Sequence, residues 1–450
     1  MNDVGLDGRY RYATVALDSR GLEQVRRAAL AGGRVVQRDG LAIYATGTAC
    51  SLAMPSGLED PDRLAAIGAE LRSIRRVGGD AGDPGVAGDD RGKTTSPATH
   101  VHGPIAIGAL AFDRRRPSRL ALGEVTAVER MDAVPVAVVV GLPERVEELL
   151  RELSGGGLDR ARDEVVPSAL ESAPPDSFRL ESARPHEDFL ARVEAAVSEV
   201  RTGRLDKVVL AREVTVTANR PLRQCDLLER LRALHPSCTV FAVDGFVGAS
   251  PELLLARSGR EVSSHPLAGT AARSGDAEAD RRAGDALLSS PKERSEHRAV
   301  VEAVAAALRH VTSELEVPAA PSIVELRNVS HLGTAISGVL APASSGLPSA
   351  LELVARLHPT PAIAGSPVDA ATEYIEKAEE VDRGCYGGPV GWIDASGDGE
   401  FYLGIRSAMV DGATARLFAG VGILADSDPA RELAETQLKL QAFLAAAVRP

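Results

Sequence analysis

The stretch from Phe246 to His297 places the strongest constraint on how this chain can fold. Its segment FVGASPELLLA predicts a strand, a Gly-Ala-Ser-Pro turn that presents Glu252, and a second apolar run. The segment HPLAGTAARS predicts another strand that ends at Gly269-Thr270. The segment KERSEHRAVVEAV predicts a long helix with polar side chains in its first turns, namely Glu293, Glu296 and His297. Such a set suits a site that protonates a leaving group and holds a divalent cation.

Charge and cysteine content exclude several classes of protein. The chain has 450 residues and a formal charge of −12, and no Lys/Arg block clusters with aromatic residues. Nucleic acid and anionic membranes are therefore poor candidates as partners. The four cysteines are dispersed with no CxxC spacing, which argues against a zinc ribbon or a disulfide framework. No run of about 18 uncharged apolar residues occurs, so we expect a cytoplasmic protein without a membrane span.

The first 150 residues carry no recognisable chemistry. Their patterns predict strands over 12–17, 41–46, 120–127 and 134–140, and helices over 21–30 and 60–76. Residues 78–100 are rich in Gly, Asp, Pro and Thr and predict a flexible loop, and a polar connector is expected over about 154–185. Because strand patterns resume directly after the loop, we expect one domain over residues 1–450, with these residues as half of a sheet scaffold.

Lys207 begins the segment KVVLAREVTV, which predicts a strand. Alternation places Lys207 on the same face as Val209 and Ala211. It could be a snorkelling or salt-bridged lysine, or a base whose burial favours the neutral amine. Glu252 could likewise be a surface turn residue, or an acid in a partly dry pocket with a raised pKa, able to donate a proton. The local pattern leaves both questions open.

The helix predicted over about 292–315 is amphipathic. Val300, Val304, Leu308 and Val311 form its buried row, and Glu296 extends that row toward the N-terminus. An acidic group in line with an apolar stripe is an exception to the rule that charges stay exposed. Glu293 could simply compensate the helix dipole in the first turn.

The C-terminal part adds further charged groups. We expect Arg406 within the second strand of a hairpin, either exposed or facing inward toward a buried anion. The segment GVGILA fails as a dinucleotide signature, because too little chain follows it for a βαβαβ unit. A helix predicted after Asp428-Pro429 places three side chains on one face, Glu432, Glu435 and Lys439. That face is either solvated or contributes a second acid to a Mg²⁺ site.

No Walker A motif, HExxH, nucleophile elbow or paired-cysteine site is present. The motifs that remain are KVVLAR, GASPELLL, PLAGTAAR, KERSEHRAVV, HPTPA, YGGPVGW, IRSAMV and FAGVGI followed by SDP and ET. Together they resemble the chorismate-utilising enzymes, and most closely the isochorismate synthases. The resemblance covers about residues 185–446, whereas 1–180 match only loosely. It implies an α+β fold with two stacked, mostly antiparallel β-sheets flanked by outer helices.

The resemblance also implies a role for each site residue. Lys207 matches the general base and Glu252 the general acid. Glu296 and Glu435 match Mg²⁺ ligands, with Glu293 and Glu432 nearby, through water. The positions that match substrate-binding groups are Gly269, Thr270, His331, Ala362, Arg406, Gly420 and Lys439. The implied reaction is Mg²⁺-dependent attack of water on C2 of chorismate with loss of the C4 hydroxyl.

Three positions narrow the subfamily. Lys207 favours water over ammonia as nucleophile, and Ala268 stands where aminodeoxychorismate synthases carry a lysine. Ala362-Ile363 lacks the threonine of salicylate synthases. The alternatives are a salicylate synthase, an aminating synthase component needing a glutaminase, and a non-catalytic chorismate-binding protein. The resemblance implies a product that feeds menaquinone, siderophore or salicylate synthesis, and a monomer is expected.

Overall fold

The computed structural model describes residues 8–77, 103–155, 173–344 and 346–448. The predicted flexible loop over 78–100 lies outside the described residues. Within the described ranges ten helices occur: α1 Ser19–Leu30, α2 Pro61–Ser73, α3 Pro143–Gly155, α4 His186–Arg201, α5 Gln224–Leu234, α6 Ala277–Ser289, α7 Pro291–Arg309, α8 Ala350–Leu357, α9 Val368–Glu379 and α10 Pro429–Ala447.

Most helix starts follow from local side-chain chemistry. Six of the ten helices begin after an Asp or Ser whose side chain accepts a hydrogen bond from the first turn. In α7 and α10, Ser290-Pro291 and Asp428-Pro429 supply both the cap and a proline at the first helical position. A capping side chain accepts a hydrogen bond from a backbone N–H of the first turn that has no partner within the helix. Proline is tolerated at the first helical position, because the N–H that it lacks would have no partner there.

The strands of the first half are β1 Arg11–Ala16, β2 Arg34–Arg38, β3 Leu41–Thr46, β4 Cys50–Met54, β5 Arg75–Arg76, β6 Ile105–Ala109, β7 Ser118–Leu122, β8 Val125–Arg130, β9 Val136–Gly141 and β10 Phe178–Ser182. Those of the second half are β11 Lys207–Ala218, β12 Thr239–Val243, β13 Phe246–Ser250, β14 Leu253–Ser258, β15 Glu261–His265, β16 Leu267–Ala272, β17 Thr312–Glu316, β18 Ser322–Glu325, β19 Val329–Gly333, β20 Ile336–Leu340, β21 Gly365–Ser366, β22 Pro389–Asp394, β23 Gly399–Leu403, β24 Ser407–Asp411 and β25 Thr414–Ile423.

These strands form three sheets. The large sheet has 13 strands in the order β10-β11-β25-β24-β13-β12-β2-β3-β8-β9-β1-β5, with β21 beside β11. The second sheet has nine strands in the order β17-β20-β15-β14-β23-β22-β6-β7-β4. Among the described pairs only β1 and β5 run parallel. The predicted α+β class with mostly antiparallel sheets is confirmed, and a small third sheet, β16-β19-β18, was not predicted.

Two hydrophobic clusters cover the faces of the large sheet. On one face Ile43 and Phe241 belong to the same buried cluster as Leu52 and Ile107 of the second sheet, so the two sheets enclose a common core. The opposite face, including Tyr44, packs with side chains of α1, α3, α5 and α10. Strand alternation explains the division, because neighbouring residues of one strand point to opposite faces.

Several predicted boundaries were wrong. The strand predicted over 120–127 is two strands, β7 and β8, which lie in different sheets and separate at Gly123. The predicted helix over 292–315 ends at Arg309, because Thr312–Glu316 pairs with β20. Part of the predicted connector over 154–185 is β10, which pairs with β11. In each case pairing with a distant strand overrides the local pattern.

Candidate active site

A single cavity of about 120 Å³ brings together all thirteen positions singled out from the sequence. It lies where the first turns of α7 and α10 meet the large and small sheets. Its walls include Lys207, Glu252, Gly269, Thr270, Glu293, Glu296, His331, Ala362, Arg406, Gly420, Glu432, Glu435 and Lys439.

Lys207 is the first residue of β11 and its side chain is buried. Its Nζ lies 2.6 Å from Oε1 of Glu296 on α7. The residue therefore forms an ion pair inside the cavity and does not extend to the surface. Both the salt bridge and a role in proton transfer are compatible with this position, because the amine faces the cavity.

Glu252 lies between β13 and β14, after Pro251, and only 5% of its surface is exposed. Its Oε1 accepts a hydrogen bond from the Leu267 backbone N–H at 3.3 Å. Burial raises the pKa of Glu252 to about 7, although that hydrogen bond and the charges of Arg406 and Lys207 oppose the shift. A carboxyl group with this pKa is substantially protonated near neutral pH and can donate a proton.

A hydrogen-bonded chain runs from Gly269 to Arg406 through His331. His331 Nδ1 is 2.9 Å from the Gly269 carbonyl oxygen and 3.3 Å from Thr270 Oγ1. Because a carbonyl only accepts, Nδ1 carries the hydrogen, and Nε2 is free to accept from Arg406 Nη2 at 3.2 Å. Burial, together with the charge of Arg406, lowers the pKa of His331 to about 3. His331 is therefore neutral and orients the guanidinium.

Arg406 is not inside a strand as predicted. It lies in the break between β23 of the second sheet and β24 of the large sheet, with a φ of +53°. The chain crosses between the two sheets at this point, which turns the side chain toward the cavity. A left-handed φ on a residue other than glycine costs on the order of 1–3 kcal/mol. Arg406 is partly buried, and this burial lowers the pKa of its guanidinium from the ordinary value.

Four carboxylates face the cavity from two helix N-termini. Glu293 and Glu296 lie on α7, and Glu432 and Glu435 lie on α10. Burial raises the pKa of Glu432 to about 7, and burial and then the charge of Glu296 raise the pKa of Glu293. Burial works in the same direction on Glu435, but the nearby Lys439 outweighs it, so the pKa of Glu435 lies below its ordinary value.

Lys439 forms an ion pair with one of these carboxylates and a hydrogen bond with a backbone carbonyl group. Its Nζ is 2.6 Å from Oε1 of Glu435 and donates to the Gly420 carbonyl at 2.9 Å. Each of the two predicted Mg²⁺ ligands, Glu296 and Glu435, is thus paired with a lysine, whereas no lysine or arginine pairs with Glu293 or Glu432 among the described residues.

The donor set fits a hard divalent cation in part. Four carboxylates in one cavity supply the oxygen donors that Mg²⁺ prefers, and two of them, Glu293 and Glu432, have pKa values raised chiefly by burial. In the described part of the chain no three His, Cys, Asp or Glu side chains converge closely enough to hold a metal ion by themselves. Mg²⁺ usually keeps waters and substrate oxygens in its coordination shell, so an incomplete protein set is suitable for it.

Sequence reasoning missed several residues of the cavity wall, and three of them contact the groups described above. Tyr386 is buried and stacks on Phe418 with ring centroids 5.4 Å apart. Gly422 approaches Lys207 so closely that a Cβ atom there would lie 2.4 Å from its Cε. Arg383 is the third. The motifs YGGPVGW and GVGILA could have pointed to the first two, whereas no local pattern marks Arg383.

Comparison with known proteins gives one family. The model of the family described as chorismate binding enzyme matches residues 94–448. A salicylate biosynthesis isochorismate synthase of Pseudomonas aeruginosa is 45% identical over 269 residues, which cover 58% of this chain and 55% of that protein. The isochorismate synthase DhbC of Bacillus subtilis is 36% identical over 354 residues, covering 76% of this chain and 80% of that protein.

A solved structure supports the same relationship. The DhbC protein of Bacillus anthracis, described as a 2,3-dihydroxybenzoate-specific isochorismate synthase, superposes with a TM-score of 0.75 at 31% identity. The superposition covers 95% of this chain and all of that chain. In addition, no helix among the described residues has the length and apolar character needed to cross a membrane.

Proposed function

Because the chain belongs to the chorismate-binding enzyme family, and to the isochorismate synthases within it, we propose that it converts chorismate to isochorismate with Mg²⁺. The observation that carries the proposal is the meeting in one cavity of an amine and a buried carboxyl group, Lys207 and Glu252, from separate parts of the chain. Attack of water at one ring carbon is assisted by a base, and departure of a hydroxyl group from another ring carbon is assisted by an acid, so both groups must lie in the same cavity.

The reaction is a balanced exchange of one hydroxyl position for another. In the proposed mechanism Lys207 is the base that takes a proton from a water molecule, whose oxygen forms a bond to C2 of the ring. The two ring double bonds shift, the C4–O bond breaks, and Glu252 gives its proton to the departing hydroxyl group. Water is consumed and released, so no oxidant or reductant is needed.

Cationic and backbone groups would hold the two carboxylates of the substrate. Arg406 is oriented by His331 and is the natural partner for one carboxylate, and Thr270 and Gly420 would contact the substrate from the neighbouring strands. Glu296 and Glu435 would bind Mg²⁺ directly, and the nearby Glu293 and Glu432 would contact it through water molecules. Bound there, the ion would supply positive charge opposite the ring carboxylate and favour attack at C2.

Product analysis tests the function. The purified protein is incubated with chorismate and Mg²⁺, the products are separated by liquid chromatography, and pyruvate is assayed in parallel. We expect isochorismate that approaches an equilibrium mixture with chorismate, without pyruvate, and no reaction after removal of Mg²⁺ with EDTA. Salicylate with stoichiometric pyruvate would instead identify a salicylate synthase and contradict the argument from Ala362-Ile363.

A further inference from the structure

A buried ion pair lies directly behind the strand that carries Lys207. Glu379 is the last residue of α9 and Arg383 follows four residues later; their side chains are only 1% and 3% exposed. Arg383 Nε donates to Glu379 Oε2 at 2.8 Å, and its Nη2 donates to Oε1 at 2.5 Å. The guanidinium also lies over the Phe112 ring, 4.4 Å from its centroid. The pair is thus fixed on all sides within the protein.

The ion pair fills a gap along one edge of β11. On one side β11 pairs with β25 over almost its whole length. On the other side β21 pairs only with Lys207 and Val208, and β10 begins pairing at Val214. Residues 209–213 therefore have no strand on that side in the described structure. Backbone groups left there without a partner would be costly, because they are buried.

Arg383 and Glu379 supply the hydrogen bonds that a neighbouring strand would supply. Arg383 Nη2 donates to the Val209 carbonyl oxygen at 2.8 Å, and Glu379 Oε1 accepts from the Ala211 N–H at 2.7 Å. Arg383 Nη1 also donates to the carbonyl oxygen of Ile363 at 3.0 Å. The Val209 N–H donates to the Ala364 carbonyl oxygen at 2.8 Å, so the strand and the segment 362–364 are joined twice.

These contacts determine what Arg383 can do. Four of its five N–H donors are engaged with Glu379, Val209 and Ile363, although the side chain also lines the cavity. Its charge is balanced by Glu379, so it is a poor partner for a substrate carboxylate, unlike Arg406. The pair contacts β11 two and four residues after Lys207, and contacts the segment after Ala362.

We propose that Arg383 and Glu379 are positioning residues, which replace a missing strand neighbour and hold Lys207 and the segment 362–364 in register with each other. This inference rests on the proposed function, since Lys207 is the residue whose position matters for proton transfer. A catalytic group displaced by about 1 Å can lose about 10²-fold in rate. Lysine at position 383 would keep the charge but could not reproduce the planar fork.

The test compares Arg383→Lys and Glu379→Gln with the unmutated protein. We expect kcat for isochorismate formation to fall by about 10²-fold in Arg383→Lys, with KM changed by less than about threefold, because substrate binding by Arg406 is left intact. We also expect faster amide hydrogen exchange in residues 207–211 and 362–364. Glu379→Gln preserves side-chain shape and gives a second, milder readout if Arg383→Lys does not fold.

Arg257→Lys is the matched control. Arg257 is similarly buried, faces Asp398 with Nη1 3.7 Å from its Oδ1, and does not line the cavity. Its replacement should lower stability and leave both kcat and exchange in 207–211 unchanged. The proposal is overturned if Arg383→Lys keeps kcat within about threefold, if only its KM rises, or if Arg257→Lys loses kcat equally.

The exchange measurement separates this inference from the proposed function. If the unmutated protein forms no isochorismate, the proposed function fails, and amide exchange alone still decides whether the ion pair holds the two segments. If exchange in 207–211 and 362–364 is the same in all variants, the positioning role is wrong even where turnover falls.

Discussion

At the scale of single residues, burial decides the protonation of the acid. Glu252 has a pKa raised to about 7, compared with an ordinary value of 4.5, chiefly because its side chain is removed from water. The folded protein therefore holds a proton on Glu252 at pH values where the unfolded chain does not. A group that must give up a proton in the reaction is active below this pKa and inactive above it.

We therefore expect the kcat/KM for chorismate to stop rising with pH above about pH 7, because Glu252 then loses the proton that it must donate. The measurement is the rate of isochorismate formation from pH 6 to 9 at saturating Mg²⁺. Glu252→Gln, which cannot supply the proton, should have little activity at any pH. A rate that keeps rising to pH 9 would contradict the assignment of Glu252 as the acid.

A second residue-scale prediction concerns the base. Lys207→Ala should lower kcat by about 10²- to 10⁴-fold, because water is then not deprotonated as it attacks. Turnover of chorismate is the measurement, with binding of chorismate followed separately by calorimetry. Lys377→Ala, which removes an exposed lysine paired with Glu373, serves as control and should behave like the unmutated protein. Near-normal turnover by Lys207→Ala would exclude the proposed mechanism.

At the scale of elements, β25 has glycine at two positions beside β11, Gly420 and Gly422, where a side chain would lie too close to its neighbours. A Cβ atom on Gly422 would lie 2.4 Å from Cε of Lys207 and 3.2 Å from Oε1 of Glu296. A Cβ atom on Gly420 would lie 3.2 Å from the hydroxyl oxygen of Tyr386. The glycines of the segment GVGILA thus leave room for the reacting groups, which explains a pattern that resembles a dinucleotide signature.

Gly422→Ala should consequently lower kcat by about 10²-fold, because the added methyl group displaces Lys207 from Glu296. Steady-state turnover and thermal unfolding are measured together. Gly284→Ala is the control: its Cβ would meet only Ile323 at 3.7 Å, in ordinary contact, and alanine favours the surrounding helix. If Gly422→Ala retains full turnover, the close approach has no role in placing Lys207.

At the scale of the whole molecule, both sheets combine strands from the two halves of the chain. In the large sheet β12 pairs with β2, and in the second sheet β22 pairs with β6. The core between the two sheets likewise contains side chains from both halves. This sharing of sheets supports the proposal of a single domain over residues 1–450.

The family predicted from the motifs of 185–446 is confirmed, and the match extends back to residue 94. A monomer stays a prediction.

The interior also predicts how stability depends on pH. His358 is buried with Nε2 bonded to the Phe112 carbonyl oxygen at 2.8 Å, and burial lowers its pKa from 6.5 to about 4. Between these values the unfolded chain binds a proton that the folded protein does not. The free energy of unfolding therefore falls as the pH falls from 6.5 to 4, by up to about 1.4 kcal/mol per pH unit from this residue.

His358→Gln can keep a donor toward Phe112 without titrating, so we expect a shallower dependence of unfolding free energy on pH between 6.5 and 4. Urea unfolding at several pH values gives the slope, whatever the absolute stability of the variant. The exposed His310→Gln removes a histidine of the surface and should keep the slope of the unmutated protein. Equal slopes in His358→Gln and the unmutated protein would show that His358 is not the source.

Local sequence determined those features whose cause lies within a few residues. Caps such as Ser290-Pro291 and Asp428-Pro429 fixed where α7 and α10 begin, and with them the helical turns that carry the four glutamates. The apolar pattern over 41–46 predicted the bounds of β3, because strand-forming composition is a local property. The motif set was sufficient to recognise the family.

Only the tertiary structure decided how distant groups pair. It joined Lys207 to Glu296, turned Arg406 out of a strand, divided β7 and β8 between two sheets, and placed Arg383 and Glu379 against the open edge of β11. None of these follows from spacing along the chain, because each depends on which strands meet and which backbone groups remain unpaired once they have met. The candidate residues were readable from the sequence, whereas the contacts that hold them in place arise from the packed fold.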